Sequence, residues 1–181
     1  MAHYAVRTYG DPVLCQRAAE VEEFDGVLAR LVDDMVETMY EAEGAGLAAP
    51  QVGVQRRLFV YDVGDGPGVV VNPRIADASG EWRYDEGCLS IPGLRLAIVR
   101  PARVVVTGQD ADGEPVELEA DEFLARVFQH EVDHLDGVLM LERLEDDERK
   151  IALKVLRDRA MGLDTTALEA RLSGAGSTRV V

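Results

Sequence analysis

The chain has 181 residues, a length that fits one domain able to bury a core without disulfide or structural-metal support. Its 19 Lys and Arg against 34 Asp and Glu give a formal net charge of -15, which repels a nucleic-acid backbone and argues against DNA binding. No stretch is long and apolar enough to span a bilayer, and the start MAHYAVRTYG lacks the pattern of a secretory signal.

The two cysteines, Cys15 and Cys88, have no paired spacing, so a reducing compartment is favoured over a disulfide framework. We therefore expect a cytoplasmic protein with no membrane partner. Residues 1–181 are predicted to form a single domain, whose end, about 172–181, is predicted to be a loose tail.

Regular apolar spacing predicts an amphipathic N-terminal helix that runs from about Phe24 to Met39 and stops before Gly44. Short runs rich in Val, Ile and aromatic residues follow, and Gly, Pro, Asn and Asp separate them, as is typical of antiparallel strands. The predicted strands are Leu58–Val63, Val69–Asn72, Arg95–Val99, Val104–Gly108 and Pro115–Leu118.

Residues 110–113, with the sequence DADG, predict a hairpin turn between two of these strands, because glycine supplies the positive φ that such turns need. A second helix is predicted to begin near Asp121 as its N-cap, and a third runs from about Asp146 to Met161. This order indicates the α+β class. We expect antiparallel sheets around a central helix, with an N-terminal helix and a C-terminal helix.

The central helix contains His130-Glu131-Val132-Asp133-His134, an HExxH pattern that uses two of the three histidines. At positions i and i+4 of a helix, both imidazoles can reach one metal ion from the same face, with Glu131 beside them. They share that face with apolar residues, whereas the opposite side carries Arg126, Gln129, Asp133 and Asp136. Unpaired polar groups facing a core are costly, so a shared metal ion is favoured.

A catalytic zinc-type site needs three protein ligands and one open position. The longer HExxHxxGxxH motif is absent, because residue 140 is Met. The third ligand is therefore either a downstream glutamate or Cys88, and Cys88 is the preferred candidate. The available glutamates lie in a strongly polar stretch and are Glu142, Glu145 and Glu148.

Three segments carry a specific resemblance: GAGLAAPQ at Gly44–Gln51, EGCLS at Glu86–Ser90 and QHEVDHLDG at Gln129–Gly137. In order and spacing they are similar to the three signature motifs of the peptide deformylases. The wider similarity runs from about Tyr9 to the helix that ends near Met161, and it looks like the compact class of that family. The resemblance implies a single deformylase-like catalytic domain.

The resemblance also implies a metal centre, in which Cys88, His130 and His134 hold one divalent ion and a water molecule takes the fourth position as the nucleophile. Fe(II) is the native ion that the family leads us to expect, and Zn(II), Ni(II) or Co(II) can replace it. The reaction that follows is hydrolysis of the N-formyl group at the N-terminal methionine of a newly made polypeptide, with release of formate.

Further roles follow from the same resemblance. Glu131 is expected to act as general base and then general acid, while the Gln51 side-chain amide and the Leu89 backbone N–H stabilise the oxyanion. The peptide is expected to pair with Gly46 and neighbouring groups as an added strand. Residues expected to bind or shape the path of the substrate are Gly44, Gly46, Glu86 and Gly87, together with Phe123 and Val127, which by their position on the motif helix are expected to form walls of the pocket for the methionine side chain.

Two other functions stay open from the residues alone. One is a zinc endopeptidase of the HExxH type, which would use a downstream glutamate and leave Cys88 inert. The other is a non-catalytic metal-binding, ribosome-associated protein, although a structural site needs neither Glu131 nor Gln51.

A cluster of bases near the C-terminus predicts a weak ribosome contact through the C-terminal helix, with an ordinary solvated helix face as the alternative. These bases are Arg149, Lys150, Lys154, Arg157 and Arg159. The acidic remainder of the chain argues against broader RNA binding.

Overall fold

The structure is a computed structural model that describes residues 4–174. Within that range the chain forms four α-helices and seven β-strands. The helices are α1 (Gly26–Glu41), α2 (Glu122–Leu135), α3 (Asp146–Ala160) and α4 (Thr166–Gly174). The strands are β1 (Gly46–Ala48), β2 (Leu58–Tyr61), β3 (Gly68–Ser79), β4 (Trp82–Cys88), β5 (Ile91–Arg100), β6 (Arg103–Gln109) and β7 (Pro115–Asp121).

Three predicted helices are present close to their expected bounds, and α4 was not predicted. Asp25 caps α1 by accepting hydrogen bonds from the backbone N–H groups of Val27 and Leu28 at 2.9 and 3.0 Å. The predicted tail over about 172–181 begins inside the last residues of α4, and the rest of it lies outside the described residues.

The strands form two antiparallel sheets, which confirms the predicted α+β class. One sheet has the order β1-β2-β3-β6-β7, and the other consists of β4 and β5. The hairpin turn at 110–113 is also confirmed, since Gly113 has a φ of +87° and donates to the Asp110 carbonyl at 3.2 Å. Strands β1 and β4 were not predicted, because β1 has three residues and β4 is mostly polar.

Helix α2 packs on the five-stranded sheet through Ala125, Phe128, Val132 and Leu135. The opposite side of the helix is buried as well. Arg126, Gln129 and Asp133 are 3%, 5% and 7% exposed, so that polar side faces protein rather than solvent. The helix is therefore enclosed over most of its circumference, and its charged residues need partners from other elements.

The two-stranded sheet has an apolar core of its own. Leu94 and Leu96 of β5 pack there with Val155 of α3 and Leu172 of α4, in the same cluster as Cys88. The last two helices therefore cover the sheet that ends in the EGCLS segment. None of the described helices is long and apolar enough to cross a membrane.

Candidate metal centre and active site

The three predicted metal ligands meet at one point. Cys88 Sγ lies 3.2 Å from His134 Nε2, and the Nε2 atoms of His130 and His134 are also 3.2 Å apart. All three residues are buried, and their ligand atoms lie within 4.8 Å of one another. Cys88 is the last residue of β4, whereas the histidines lie one turn apart on α2. Across residues 4–174 this is the group placed to hold a metal ion.

The donor atoms fit a divalent metal ion. His130 Nδ1 lies 2.6 Å from Glu86 Oε1, which fixes Nδ1 as the protonated nitrogen and leaves the Nε2 lone pair to face the site. Two ring nitrogens and a sulfur then converge in a buried space, where a cation would satisfy all three at once. A set of one thiolate and two imidazoles suits Zn²⁺ or Fe²⁺.

The surroundings of Cys88 favour its thiolate form. Burial by itself would raise the pKa of the Cys88 thiol, but the neighbouring His134 and His130 lower that pKa well below its usual value. The thiolate is the form of cysteine that binds metals. By contrast, Glu142 and Glu145 are exposed and lie outside the ligand group, as the polar stretch around them suggested.

A buried ionic network lies behind His130. Arg100 binds both carboxylate oxygens of Glu86 at 2.7 Å, and Arg126 binds Glu86 at 2.9 Å. Burial would raise the pKa of Glu86, yet Arg100 and His130 lower it well below its usual range, so Glu86 is held as an anion. The anion in turn fixes the orientation of His130.

The network continues to the far side of α2. Arg100 Nη1 binds Asp133 Oδ2 at 2.8 Å, and Arg143 binds the same carboxylate through Nε at 3.0 Å and through Nη2. These partners explain why Asp133 is buried on the side of the helix that faces away from the site. Arg100 comes from β5, 33 residues before Asp133, whereas Arg143 ends a short 3-10 helix, Met140–Arg143, 10 residues after it.

Glu131 lies beside the ligand group and is 3% exposed. Burial raises its pKa to about 7. Its Oε2 has no hydrogen-bond partner within the described part of the chain, although it is buried. A Cβ at position 46 would lie 2.5 Å from Glu131 Oε1, so the absence of a side chain at Gly46 makes room for this carboxylate.

Gln51 points its amide nitrogen toward the centre. Its Oε1 accepts a hydrogen bond from Ala48 N at 2.8 Å, which fixes the amide orientation, and its Nε2 lies 3.2 Å from Ser90 Oγ and 3.9 Å from Cys88 Sγ. Leu89 follows Cys88 in the turn after β4. A Cβ at Gly44 would lie 2.8 Å from Leu89 Cδ1, so this glycine permits the close approach of the two segments.

A cavity of about 730 Å³ opens onto these groups. Every predicted site residue except His134, which is 1% exposed, lines this cavity. The lining residues from the prediction are Gly44, Gly46, Gln51, Glu86, Gly87, Cys88, Leu89, Phe123, Val127, His130 and Glu131.

Further residues that were not predicted also line the cavity, among them Tyr84, Arg126 and the segment 92–95. Tyr84 lies two residues before Glu86 and on the same face of β4, so it could have been found only if that strand had been predicted. Arg126 stacks near the rings of Trp82 and Tyr84, at 5.1 and 5.8 Å from their centroids. No local pattern marked it, since its partners lie on β4 and β5.

Comparison with known proteins gives one consistent result. The family model described as polypeptide deformylase matches residues 3–150. A peptide deformylase of Thermotoga neapolitana is 51% identical over 156 residues, covering 86% of this chain and 95% of the relative. A peptide deformylase of Acidothermus cellulolyticus is 48% identical over 158 residues, covering 87% of this chain and 88% of the relative.

Solved structures agree with this result. The crystal structure of peptide deformylase from Thermotoga maritima has a TM-score of 0.79 and 47% identity, covering 80% of this chain and 99% of that one. The crystal structure of peptide deformylase from Thermus thermophilus has a TM-score of 0.82 and 44% identity, covering 93% of this chain and 99% of that one. The chain belongs to the polypeptide deformylase family.

Proposed function

We propose that this chain carries out the deformylation typical of its family at the centre formed by Cys88, His130 and His134. Enzymes of this family remove the N-formyl group from newly made polypeptides in a metal-dependent reaction. The observation that carries the assignment of the site is the convergence of the three ligand atoms within 4.8 Å, beside the buried carboxylate of Glu131. The N-formyl-methionyl end of a nascent chain is the substrate that we assign to it.

The metal that we propose for this centre is Fe(II), with Zn(II), Ni(II) or Co(II) as ions that can replace it. Support comes from the donor set, because a thiolate makes the site softer than three nitrogens would. When bound, such an ion supplies a Lewis acid that lowers the pKa of water and polarises a carbonyl oxygen.

Glu131 is the group that moves the proton. Its carboxylate takes a proton from the attacking water and returns it to the amine that leaves when the C–N bond of the formamide breaks. Its position supports this role, because the carboxylate is buried beside the three ligand atoms and its Oε2 has no hydrogen-bond partner among the described residues. Gly46 leaves the carboxylate room at the cavity surface.

Gln51 and Leu89 are proposed to stabilise the negative charge that develops on the formyl oxygen. The Gln51 amide is oriented by Ala48 N–H before any substrate arrives, so the N–H that does not donate to Ser90 Oγ needs little reorganisation. The backbone N–H of Leu89 offers a second donor from the turn that follows Cys88. Donors held in a buried site are worth more than donors in water.

The peptide is proposed to lie along β1, whose outer edge is free of a strand partner in the described sheet. Gly44, Gly46 and Gly87 permit its backbone to approach closely, and Val127 and Phe123 form walls for the methionine side chain. Glu86 is different, because its carboxylate already binds two arginines and His130. We assign Glu86 to holding His130 rather than to contact with the peptide.

We also propose how far the catalytic domain extends and where in the cell the enzyme acts. We propose that residues 1–181 form one catalytic domain with α2 as its central helix. In support, α2 packs on the five-stranded sheet, and Arg126 from α2 donates to the carbonyls of Trp82 and Ile98 in the other sheet. Because the substrate is a nascent chain, we place the enzyme in the cytoplasm.

A weak ribosome contact through α3 is also proposed. Acidic partners already pair with four of the five bases, which lowers the net positive charge that this face presents. The pairs are Lys150–Asp147, Lys154–Asp158, Arg157–Asp158 and Arg159–Glu169. We therefore expect co-sedimentation with ribosomes that is sensitive to salt and that is lost when Arg149, Lys150, Lys154 and Arg157 are changed to Glu. Unchanged sedimentation of that variant would contradict the contact.

The proposed function is tested by an anaerobic assay of formate release from a formyl-Met peptide, after loading with Fe(II) or Ni(II) and metal analysis of the same sample. We expect one equivalent of formate per peptide cleaved and a free α-amine. Absence of formate release from a fully loaded protein would contradict the assignment. Cleavage of an internal peptide bond instead would support the endopeptidase alternative.

A further inference from the structure

The EGCLS segment is followed by a bulge in the two-stranded sheet. The ladder passes from the pair Gly87 and Arg95 directly to the pair Cys88 and Ile91, so residues 92–94 of β5 bulge out of it. Gly93, with a φ of +72°, lies in the left-handed region that favours glycine. The bulge therefore lies next to the proposed metal ligand Cys88 and needs support from outside the ladder.

Arg159, near the end of α3, supplies that support. Its guanidinium donates to the carbonyl of Pro92 at 3.2 Å through Nη1 and to the carbonyl of Gly93 at 2.9 Å through Nη2. A planar guanidinium can hold two neighbouring carbonyls at once, which a lysine ammonium does less rigidly. In the chain, Arg159 is 67 positions away from Pro92 and 66 positions away from Gly93, so the contact is long-range.

Arg159 is itself held by α4. Glu169 binds its Nε at 3.2 Å and its Nη2 at 3.0 Å, and Thr165 donates a hydrogen bond to the same carboxylate oxygen of Glu169. Leu172 of α4 packs in the apolar core beneath β5. We call α3 and α4 the C-terminal helix pair, and Arg159 with Glu169 its latch on the bulge.

The bulge forms part of the substrate cavity. Pro92, Gly93, Leu94 and Arg95 all line it, and Pro92 and Gly93 are exposed, which places them at the mouth rather than on the buried floor. The formyl group must reach Glu131 at the floor. Peptide residues beyond the methionine must therefore pass the mouth.

We propose that the C-terminal helix pair, through the latch of Arg159 and Glu169, holds the bulge at residues 92–94 in place and so determines how tightly the enzyme binds the peptide residues that follow the formyl-methionine. This inference rests on the proposed function and extends it to substrate length. The family model ends its match at residue 150, so Arg159 and Glu169 lie beyond the segment that defines the family. Arg159 is a positioning residue, because it acts through the bulge.

The test compares two substrates, formyl-Met-Ala amide and formyl-Met-Ala-Ala-Ala-Ala amide, with wild type and the Arg159→Ala variant. We expect the KM for the longer peptide to rise ~3- to 10-fold, which corresponds to about one ordinary hydrogen bond between the peptide and the displaced bulge. The kcat for both peptides and the KM for the shorter one should stay within about twofold, because Arg159 touches none of the groups at the floor. Arg159→Lys and Glu169→Gln should give intermediate KM values.

The matched control is Arg83→Ala. Arg83 also links the two-stranded sheet to α3, through Glu148 at 3.3 Å, but it does not hold the bulge. The control should leave both KM values at the wild-type level. An unchanged KM in Arg159→Ala, an equal rise for both peptides, or an equal rise in the control would overturn the proposal.

Hydrogen exchange of the amides of Gly93 and Leu94 provides a readout that does not depend on activity. We expect exchange at these amides to become faster in Arg159→Ala and to stay at the wild-type rate in the Arg83→Ala control. Equal rates in wild type and Arg159→Ala would overturn the latch. A wild type that releases no formate from either peptide would instead overturn the proposed function, and the exchange comparison would still test the latch.

Discussion

Replacement of Gly46 by alanine should separate catalysis from folding. Gly46 lies in β1, and its missing side chain leaves the space that the carboxylate of Glu131 occupies. The Cβ of an alanine would lie 2.5 Å from Glu131 Oε1, 2.9 Å from its Cδ and 3.0 Å from its Cγ. Because these atoms form the far end of a flexible side chain, the carboxylate can shift without distorting the strand.

The size of the shift follows from the distances. Ordinary contact between such atoms begins at ~3.5 Å, so Glu131 Oε1, now at 2.5 Å from the new Cβ, must move by about 1 Å. A misplacement of about 1 Å in a reacting group can lower the rate ~100-fold. We therefore expect kcat for a short formyl-Met peptide to fall by about two orders of magnitude, with little loss of stability.

The control is Gly68→Ala. Both glycines are ladder partners of Tyr61, one on each side of β2, and a Cβ at Gly68 would lie 2.5 Å from Tyr61 Cζ. The crowding is equal, but it affects a packed ring rather than Glu131. This variant should lose thermal stability and keep its kcat.

Steady-state formate release, thermal unfolding and metal content should be measured on both variants and on wild type. A Gly46→Ala variant with wild-type metal content and a kcat within about threefold of wild type would contradict the prediction, because Glu131 would then tolerate the shift. Equal losses of kcat in both variants would also refute it, since crowding of the strand alone would explain them.

Three further outcomes are expected at the centre. Cys88→Ala should lose its metal ion after gel filtration, together with formate release, because a ligand is removed. Glu131→Gln keeps all three ligands, so metal content should stay at the wild-type level while kcat falls ~10²- to 10⁴-fold. Glu86→Gln weakens the hydrogen bond to His130 Nδ1, and the metal affinity measured by competition with a chelator should fall ~10- to 100-fold. Full metal occupancy in Cys88→Ala, or metal loss in Glu131→Gln, would contradict these assignments.

The two histidines and Glu131 could be predicted from the sequence because they lie close together on one helix. His130 and His134 are four residues apart, so they lie on the same face of any α-helix that contains them. Glu131 is next to His130 and lies beside that face. The position of Cys88 was different, since no periodicity links it to α2. Only its resemblance to a family motif, and the lack of a third ligand near the helix, pointed to it.

The buried network could not be predicted in the same way. Arg126 and Asp133 lie on the polar side of α2, and a helical pattern alone assigns such residues to solvent. Their burial depends on Glu86, Arg100 and Arg143, which reach the helix from other parts of the chain. Ion pairs between separate segments of the chain produce no periodic pattern in the sequence, so periodicity cannot predict them.

The bulge and the latch were missed for a related reason. The run from Arg95 to Val99 predicted only the second half of β5, because Pro92 and Gly93 interrupt its pattern. Pro92 and Gly93 lie in the bulge itself, where β5 leaves its ladder with β4 and Arg159 donates a hydrogen bond to the Gly93 carbonyl. Arg159 appeared in the sequence only as one base of a cluster, and nothing local distinguished it from Arg157.

The origin of the ligands has a consequence for stability. Cys88 belongs to the apolar core beneath β4 and β5, whereas the histidines belong to α2, which packs in the core of the larger sheet. An ion held by all three would cross-link these two cores, so apo protein should unfold at a lower temperature. By mass action, metal at ~1,000 times its Kd adds ~4 kcal/mol to the free energy of unfolding. Thermal shift on titration with a chelator therefore measures metal affinity without any substrate.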